Sequence, residues 1–254
     1  MNAFAVQLRP IADCDARRRE TACDRCGARA FSVCDDLSTP DLARLDALAE
    51  SVHFKPGEAL TREGDPATLL FNLTAGSARV FKLMPDGRRQ IVGFLFAGDF
   101  LGLATGETYA FSAEAIEPTT ACRFNRAAYQ NLIDDSPALG AALLERARHE
   151  LAAAQNQMLL LGRKTAVERL ASFLSDLAAR DRRAGGPGRV IQLPMTRAEI
   201  ADYLGLTTET VSRVTSRLKT RGVIRLLSLH SLSIEKPAEL AELAGLDAGD
   251  GDAL

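Results

Sequence analysis

No apolar run in this 254-residue chain approaches the roughly 18 residues that a membrane-spanning helix needs, which argues against a helical span. The first residues lack a basic start followed by an apolar core, so a cytoplasmic protein is the expectation. Histidine is scarce: His53, His149 and His230 lie far apart and read as surface or turn residues rather than ligands. No nucleophile stands at a recognisable spacing from a base, no glycine loop is built to cradle a phosphate, and no second cofactor motif is present. Those absences argue against an enzyme or an electron carrier. Net charge is only −2, which by itself points to no class of partner.

What is present has the balance of a soluble globular protein, 46% hydrophobic and 25% charged. The length allows two domains, each with its own core. The charge is unevenly spread. Between Arg163 and Arg225 there are 13 Lys or Arg against 6 Asp or Glu, whereas from Leu226 onward one Lys faces six acids. The basic block contains Thr196 to Lys219, TRAEIADYLGLTTETVSRVTSRLK, which reads as a helix-turn-helix. Thr196 and Glu199 make a capping box, with Ala198, Ile200, Ala201 and Leu204 as the apolar side. Gly205 ends the first helix, Leu206 buries itself in the turn, and Thr207 or Thr208 caps the second. Val211, Val214 and Leu218 form its inner stripe. Glu209, Ser212, Arg213, Thr215 and Arg217 lie on the opposite face, where such motifs reach base edges and phosphates. A helical hairpin with a solvated face is the competing reading of this window alone. The coincidence with the basic block favours double-stranded DNA as partner.

Four of the five cysteines, Cys14, Cys23, Cys26 and Cys34, fall within the first 34 residues; the fifth is Cys122. This crowding in a terminal arm points to metal ligation rather than a disulfide framework. Cys23 and Cys26 can bite one centre and Cys34 can close the loop, while Arg17, Arg18, Arg19, Arg25 and Arg29 would help hold thiolates deprotonated. A structural zinc site usually has two ligand pairs, and the second is missing here. Free thiols in a mobile tail are the third reading.

From Ser38 to Ser51 the pattern predicts a helix with Pro40 in its first turn and Leu42, Leu45 and Leu48 inside. From Val52 to about Phe124 turn signals recur roughly every ten residues, with short strands LLFNLTA, SARVFKLM and RQIVGFLF between them, the signature of a sandwich or jelly roll. Asn125 to Asp134 reads as a short helix, and a longer one follows Pro137. In it Ala147, Leu151, Ala154, Met158 and Leu161 repeat like the seam of a two-stranded coiled coil, thin because two positions are Ala. Leu143 and Leu144 are expected against the barrel. Gly162 is expected to break this helix, Thr165 to Ala179 to form the next, and Arg180 to Arg189 to be a loop. A strand from Val190 to Leu193 and a hairpin from Val223 to Ile234 complete a winged helix. The acidic stretch from Glu235 has no packing signal beyond a short Leu-Ala helix.

Taken together, the fold class is α+β. A cysteine arm (1–37), a jelly-roll barrel (38–135), a dimerisation helix (136–162), a winged helix-turn-helix (163–236) and an acidic tail (237–254) follow one another. This order resembles the cyclic-AMP receptor and FNR superfamily of bacterial transcription regulators over about residues 20 to 245. Glu209, Ser212 and Arg213 match the FNR-type triad, which in that family reads TTGAT half-sites; Thr208, Arg197 and Arg217 are further candidate DNA contacts. The resemblance implies an oxygen-labile four-iron four-sulfur cluster on Cys23, Cys26, Cys34 and Cys122, with zinc as the alternative and Cys14 spare. Seven residues separate Cys26 from Cys34 where the enteric pattern has five, a spacing similar to the rhizobial FnrN/FixK-like branch. It implies a homodimer, and RNA polymerase as a partner touched by barrel loops such as Pro85-Asp86-Gly87. The family's best-known member carries an acid where this chain has Ala154, so a cluster-free dimer is expected to form more readily here. Cyclic AMP is not expected: the superfamily's nucleotide binders place an Arg before a Ser late in the barrel, this chain has Phe111-Ser112, and no Lys or Arg occurs between Arg89 and Arg123.

Overall fold

Ser38 starts the first helix by accepting a hydrogen bond from the Asp41 amide, and Pro40 sits in the first turn where its missing N–H costs nothing. The computed structural model describes residues 23–35, 37–103 and 106–245. Two short 3-10 turns, Cys23–Arg25 and Arg29–Phe31, precede α1, Thr39–Leu48. Eight strands follow: β1 Glu50–Phe54, β2 Ala59–Thr61, β3 Leu69–Ala75, β4 Ser77–Leu83, β5 Arg89–Phe96, β6 Phe100–Leu101, β7 Ser112–Ala115 and β8 Thr119–Asn125. They form two antiparallel sheets of order β1-β8-β3-β6 and β2-β7-β4-β5. The expected strands LLFNLTA and RQIVGFLF coincide with β3 and β5.

The inner faces of the two sheets meet over mostly small residues, Leu60, Leu73, Ala78, Ala113 and Ala115. On the other side of β3 and β8 a second apolar cluster packs the arm and α1 against Leu70, Phe100 and Phe124. Strand alternation produces both: Leu73 points inward, and Leu70 points outward into the second cluster.

Asn125 caps α2, Arg126–Asp135, and Ser136 caps α3, Pro137–Arg163. Gly162 does not break α3: the helix runs through it and is capped at Lys164. An isolated glycine costs only about 1 kcal/mol in a helix, too little to end one this long. Leu143 is buried as expected, but Leu144 is 56% exposed. Adjacent helical positions are turned about 100° apart, so both cannot face the barrel. α4, Ala166–Arg183, opens with a full Thr165/Glu168 capping box and extends past the expected end at Ala179. Arg180 to Arg183 are therefore helical, and the loop is confined to 184–189.

β9, Val190–Gln192, α5, Arg197–Leu204, α6, Thr208–Thr220, β10, Ile224–Leu226, and β11, Ser231–Ile234, make the winged helix, with strand order β10-β11-β9. The stretch read as an acidic tail is partly structural. α7, Pro237–Ala244, buries Leu240 and Ala244 in the same core as Leu204 and Leu218. Each fully buried leucine there stabilises the domain by about 1.5–3 kcal/mol.

Candidate DNA-binding and cysteine sites

The helix-turn-helix is built by local capping. Thr196 Oγ1 accepts the Glu199 amide at 3.2 Å, and Glu199 Oε2 accepts the Thr196 amide at 2.7 Å. Gly205 ends α5 in the left-handed conformation at φ 60°, which costs a glycine nothing. Thr207, rather than Thr208, caps α6 by accepting the Thr210 amide at 3.1 Å. Val211, Val214 and Leu218 are buried as expected. Leu206 is half-buried against the domain core. In α5 the expectation fails at one position, because Ala198 is exposed; Glu199 closes the capping box as expected and is buried as well. The burial of Glu199 has a cause outside the motif, described below.

Thr208, Glu209, Arg213 and Arg217 are exposed on one side of α6, and Arg197 is exposed at the start of α5. Ser212 is half-buried, and Arg197 Nη1 donates to its Oγ at 3.3 Å. Arg213 Nη2 lies 3.3 Å from Thr210 Oγ1. Thr215 is turned back on its own helix, donating to the Val211 carbonyl at 2.8 Å, so its hydroxyl is not offered to a ligand. The result is a cationic, hydrogen-bonding face with an acid at its first turn, the composition that reads base edges.

The cysteines come together from two parts of the chain, the arm and β8. Cys23 and Cys34 are buried in the second apolar cluster, and half-buried Cys122 on β8 packs against it. Burial first, then Cys26 and Cys34, push the Cys122 thiol up to about 11. Burial likewise raises Cys34, with Cys26 adding to the shift while Ser32 and Arg29 oppose it. Cys23 is raised far, by burial and by Asp46; its amide also donates to Asp46 Oδ1 at 3.3 Å. At Cys34 the flanking Arg29 favours ionisation, as expected, but burial outweighs it, and at Cys23 and Cys122 burial leads. Cys14 and Arg17 to Arg19 lie outside the described residues. Among the described residues no three His, Cys, Asp or Glu side chains converge tightly enough to cage a single ion.

On α3 the seam faces solvent in the single chain. Leu151 is 60% and Met158 69% exposed, Ala154 is exposed, and Ala147 and Leu161 are half-buried. Where nucleotide binders have Arg-Ser, Phe111 is exposed beneath Lys82, whose Nζ lies 5.8 Å from the ring centre. Lys82 itself pairs with Glu63 at 2.8 Å. This cation comes from β4, where a search along the linear segment could not find it.

Contacts between the barrel and the DNA-binding domain were not legible in the sequence. Arg79 on β4 bridges Glu114 on β7 and Glu199 on α5, the latter at 2.6 Å. Arg89 Nη2 pairs with Asp202 Oδ2 at 2.8 Å, and Gln90 Nε2 donates to the Asp202 carbonyl at 2.7 Å. Phe94 meets Tyr203 in a tilted ring contact at 5.3 Å between centroids. A second node is Asp99, buried between β5 and β6, which accepts from Arg146 of α3 and from Arg180 of α4, the latter at 2.8 Å. Its neighbour Gly98 holds φ at 90°, and a Cβ there would lie 2.4 Å from the Phe31 ring of the cysteine arm.

A jelly-roll domain joined through a long helix to a winged helix-turn-helix is the layout of a DNA-binding transcription regulator. Residues 51–136 match the cyclic nucleotide-binding domain family and residues 168–243 the Crp-like helix-turn-helix domain family. The transcriptional activatory protein AadR of Rhodopseudomonas palustris is 42% identical over 85% of this chain and 89% of its own length. The nitrogen fixation regulation protein FixK of Bradyrhizobium diazoefficiens is 40% identical over 87% and 93% respectively. The solved structure of FixK2 from Bradyrhizobium japonicum superposes with a TM-score of 0.72 at 36% identity, covering 77% of this chain and 96% of that one. The chain belongs to the Crp/FNR family, as a regulator of the FNR/FixK type. These relatives are named as regulators, not enzymes, and no helix among the described residues is long and apolar enough to cross a membrane.

Proposed function

We propose that this regulator senses low oxygen through an iron-sulfur cluster held by Cys23, Cys26, Cys34 and Cys122, and binds a TTGAT-N4-ATCAA palindrome as a dimer. The observation that carries the reading is the gathering of an N-terminal thiol trio and a barrel thiol around one apolar cluster. The donor set fits: four soft sulfur ligands in a largely dry site suit iron-sulfur chemistry. Bound there, a four-iron four-sulfur cluster would supply an oxygen-labile tie between arm and barrel. Zinc is the weaker reading, because it draws four ligands to about 2.3 Å from one point, whereas several irons accept thiolates that stand apart. Direct thiol reactivity is weaker still at Cys23 and Cys34, since buried cysteines are poor nucleophiles.

The chain's own residues do the rest. Arg213 is the guanine reader, Glu209 accepts from a cytosine amine and Ser212 meets a thymine, while Arg197, Thr208 and Arg217 reach phosphates. The stripe of Ala147, Leu151, Ala154, Met158 and Leu161 is the dimer seam, which sets two recognition helices one helical turn apart. RNA polymerase is touched through exposed barrel turns such as Pro85-Asp86-Gly87. Cyclic AMP has no place here, because Phe111 stands where the phosphate partner would be and Lys82 is committed to Glu63.

Binding to a TTGAT-N4-ATCAA duplex before and after air exposure, with iron and sulfide assayed on the same samples, tests the reading. Tight anaerobic binding that falls as iron and sulfide are lost is expected, and Cys122→Ser should abolish the difference. Equal binding in both states, with zinc or no metal bound, would overturn it.

A further inference from the structure

Two polar side chains are almost fully buried beside the cysteines, and each carries an atom without a protein partner. Asn72, 2% exposed, leaves Oδ1 unpaired; Tyr129, 1% exposed, leaves its hydroxyl unpaired. Leaving a buried polar group unsatisfied costs about 1–3 kcal/mol. Leucine and phenylalanine would fill the same space without that cost, so packing alone does not explain either residue. Both face the same place. Asn72 stands opposite Cys122 in the β3–β8 register, and its Nδ2 donates toward Cys34 Sγ at 3.9 Å. Tyr129 lies in the same apolar cluster as Cys23 and Cys34, its ring held by Phe100 and Phe124.

We propose that Asn72 and Tyr129 are positioning residues for the iron-sulfur cluster, Asn72 donating through Nδ2 to Cys34 Sγ and the Tyr129 hydroxyl donating to sulfur on the buried side. The inference rests on the cluster reading above. A neutral thiol is a weak hydrogen-bonding group, whereas a metal-bound thiolate is an acceptor that a buried N–H or O–H can satisfy. The Asn72 amide suits both states: Nδ2 serves a thiolate, and a half-turn of the amide would offer Oδ1 to a neutral S–H. Hydrogen bonds to cluster sulfurs withdraw electron density and make loss of an electron to dioxygen harder. The two residues thereby set how long the cluster survives in air.

The test compares wild type, Asn72→Leu and Tyr129→Phe, reconstituted without oxygen, with three readouts: iron and sulfide content, decay of the visible absorbance in air, and the melting temperature of the metal-free protein. A wild type that takes up no iron and sulfide would overturn the cluster reading and this inference with it. With a loaded wild type, each variant is expected to lose its absorbance about 10-fold faster, while its metal-free form melts at or above the wild-type temperature because an orphaned polar atom has gone. Loaded variants that decay at the wild-type rate would overturn this inference and leave the cluster reading standing. Faster decay with a lowered metal-free melting temperature would overturn it too, since that is the mark of a packing role. Tyr129→Phe keeps the ring and carries the test independently if Asn72→Leu does not fold.

Discussion

Glu199 illustrates how one residue serves two levels of structure. It is the third residue of the α5 capping box and also the ion partner of Arg79 across the domain boundary. Burial alone would raise its pKa, but the hydrogen bonds from Thr196 and the Arg79 guanidinium outweigh it and hold the carboxyl below its usual value. A carboxylate with a depressed folded-state pKa contributes stability above its unfolded value of about 4.3 and loses it as pH falls through the folded value. Glutamine can still close a capping box, so Glu199→Gln isolates the charge. The variant should be about 1–3 kcal/mol less stable at pH 7 by urea melting, and the gap should close as pH falls below about 4. A gap that persists unchanged in acid would mean that the carboxylate's charge is not what stabilises the contact.

At the scale of an element, α3 is divided between two tasks by its own periodicity. Leu139 and Leu143 face the second apolar cluster, Leu160 enters the DNA-binding core, and Leu144, Leu151 and Met158 are left in solvent. Monomeric surfaces rarely carry so continuous an apolar stripe, and covering it with a second copy removes it from water. Burying one leucine is worth about 1.5–3 kcal/mol. Leu151→Ala is therefore expected to raise the dimer dissociation constant by about 10- to 100-fold, measured by sedimentation, with the barrel and the wing still folded. Unchanged association would place the interface elsewhere. Alanine at 154 makes the seam narrow and, unlike an acid, adds no repulsion across it.

In the whole molecule, one turn joins the cysteine arm, α3 and the DNA-binding domain. Phe31 of the cysteine arm rests on Gly98, and Asp99, the next residue, holds Arg146 of α3 and Arg180 of α4. The arm thus has a short path of packed contacts to both α3 and the DNA-binding domain. Asp99→Asn keeps an acceptor but removes the charge that both arginines share. Cluster content should be unchanged, while anaerobic affinity for the TTGAT duplex should fall within the about 5- to 150-fold range of allosteric couplings. Equal affinity in the variant would show that the arm acts on DNA binding by another route.

The sequence by itself determined whatever depends on neighbours within a turn or two. The Thr196/Glu199 cap, the glycine stop at Gly205, the strand LLFNLTA between its turn signals and the stripe of Val211, Val214 and Leu218 were all legible, because capping, turn chemistry and periodicity are local properties. The triad of Glu209, Ser212 and Arg213 and the spacing of Cys23, Cys26 and Cys34 were legible through the resemblance to a family, since short motifs are written along the chain. The tertiary structure decided which of two adjacent leucines faces the barrel, that α3 continues through Gly162, and that α7 belongs to the core. It also decided that Arg79 finds Glu199 across 120 positions, and that Asn72 and Tyr129 stand beside the cysteines. No local pattern marks such residues: an asparagine inside a hydrophobic strand reads as a blemish until the fold brings a thiol to it. Long-range polar pairing costs nothing to write into a chain and acquires its energy only when folding removes the water between the partners.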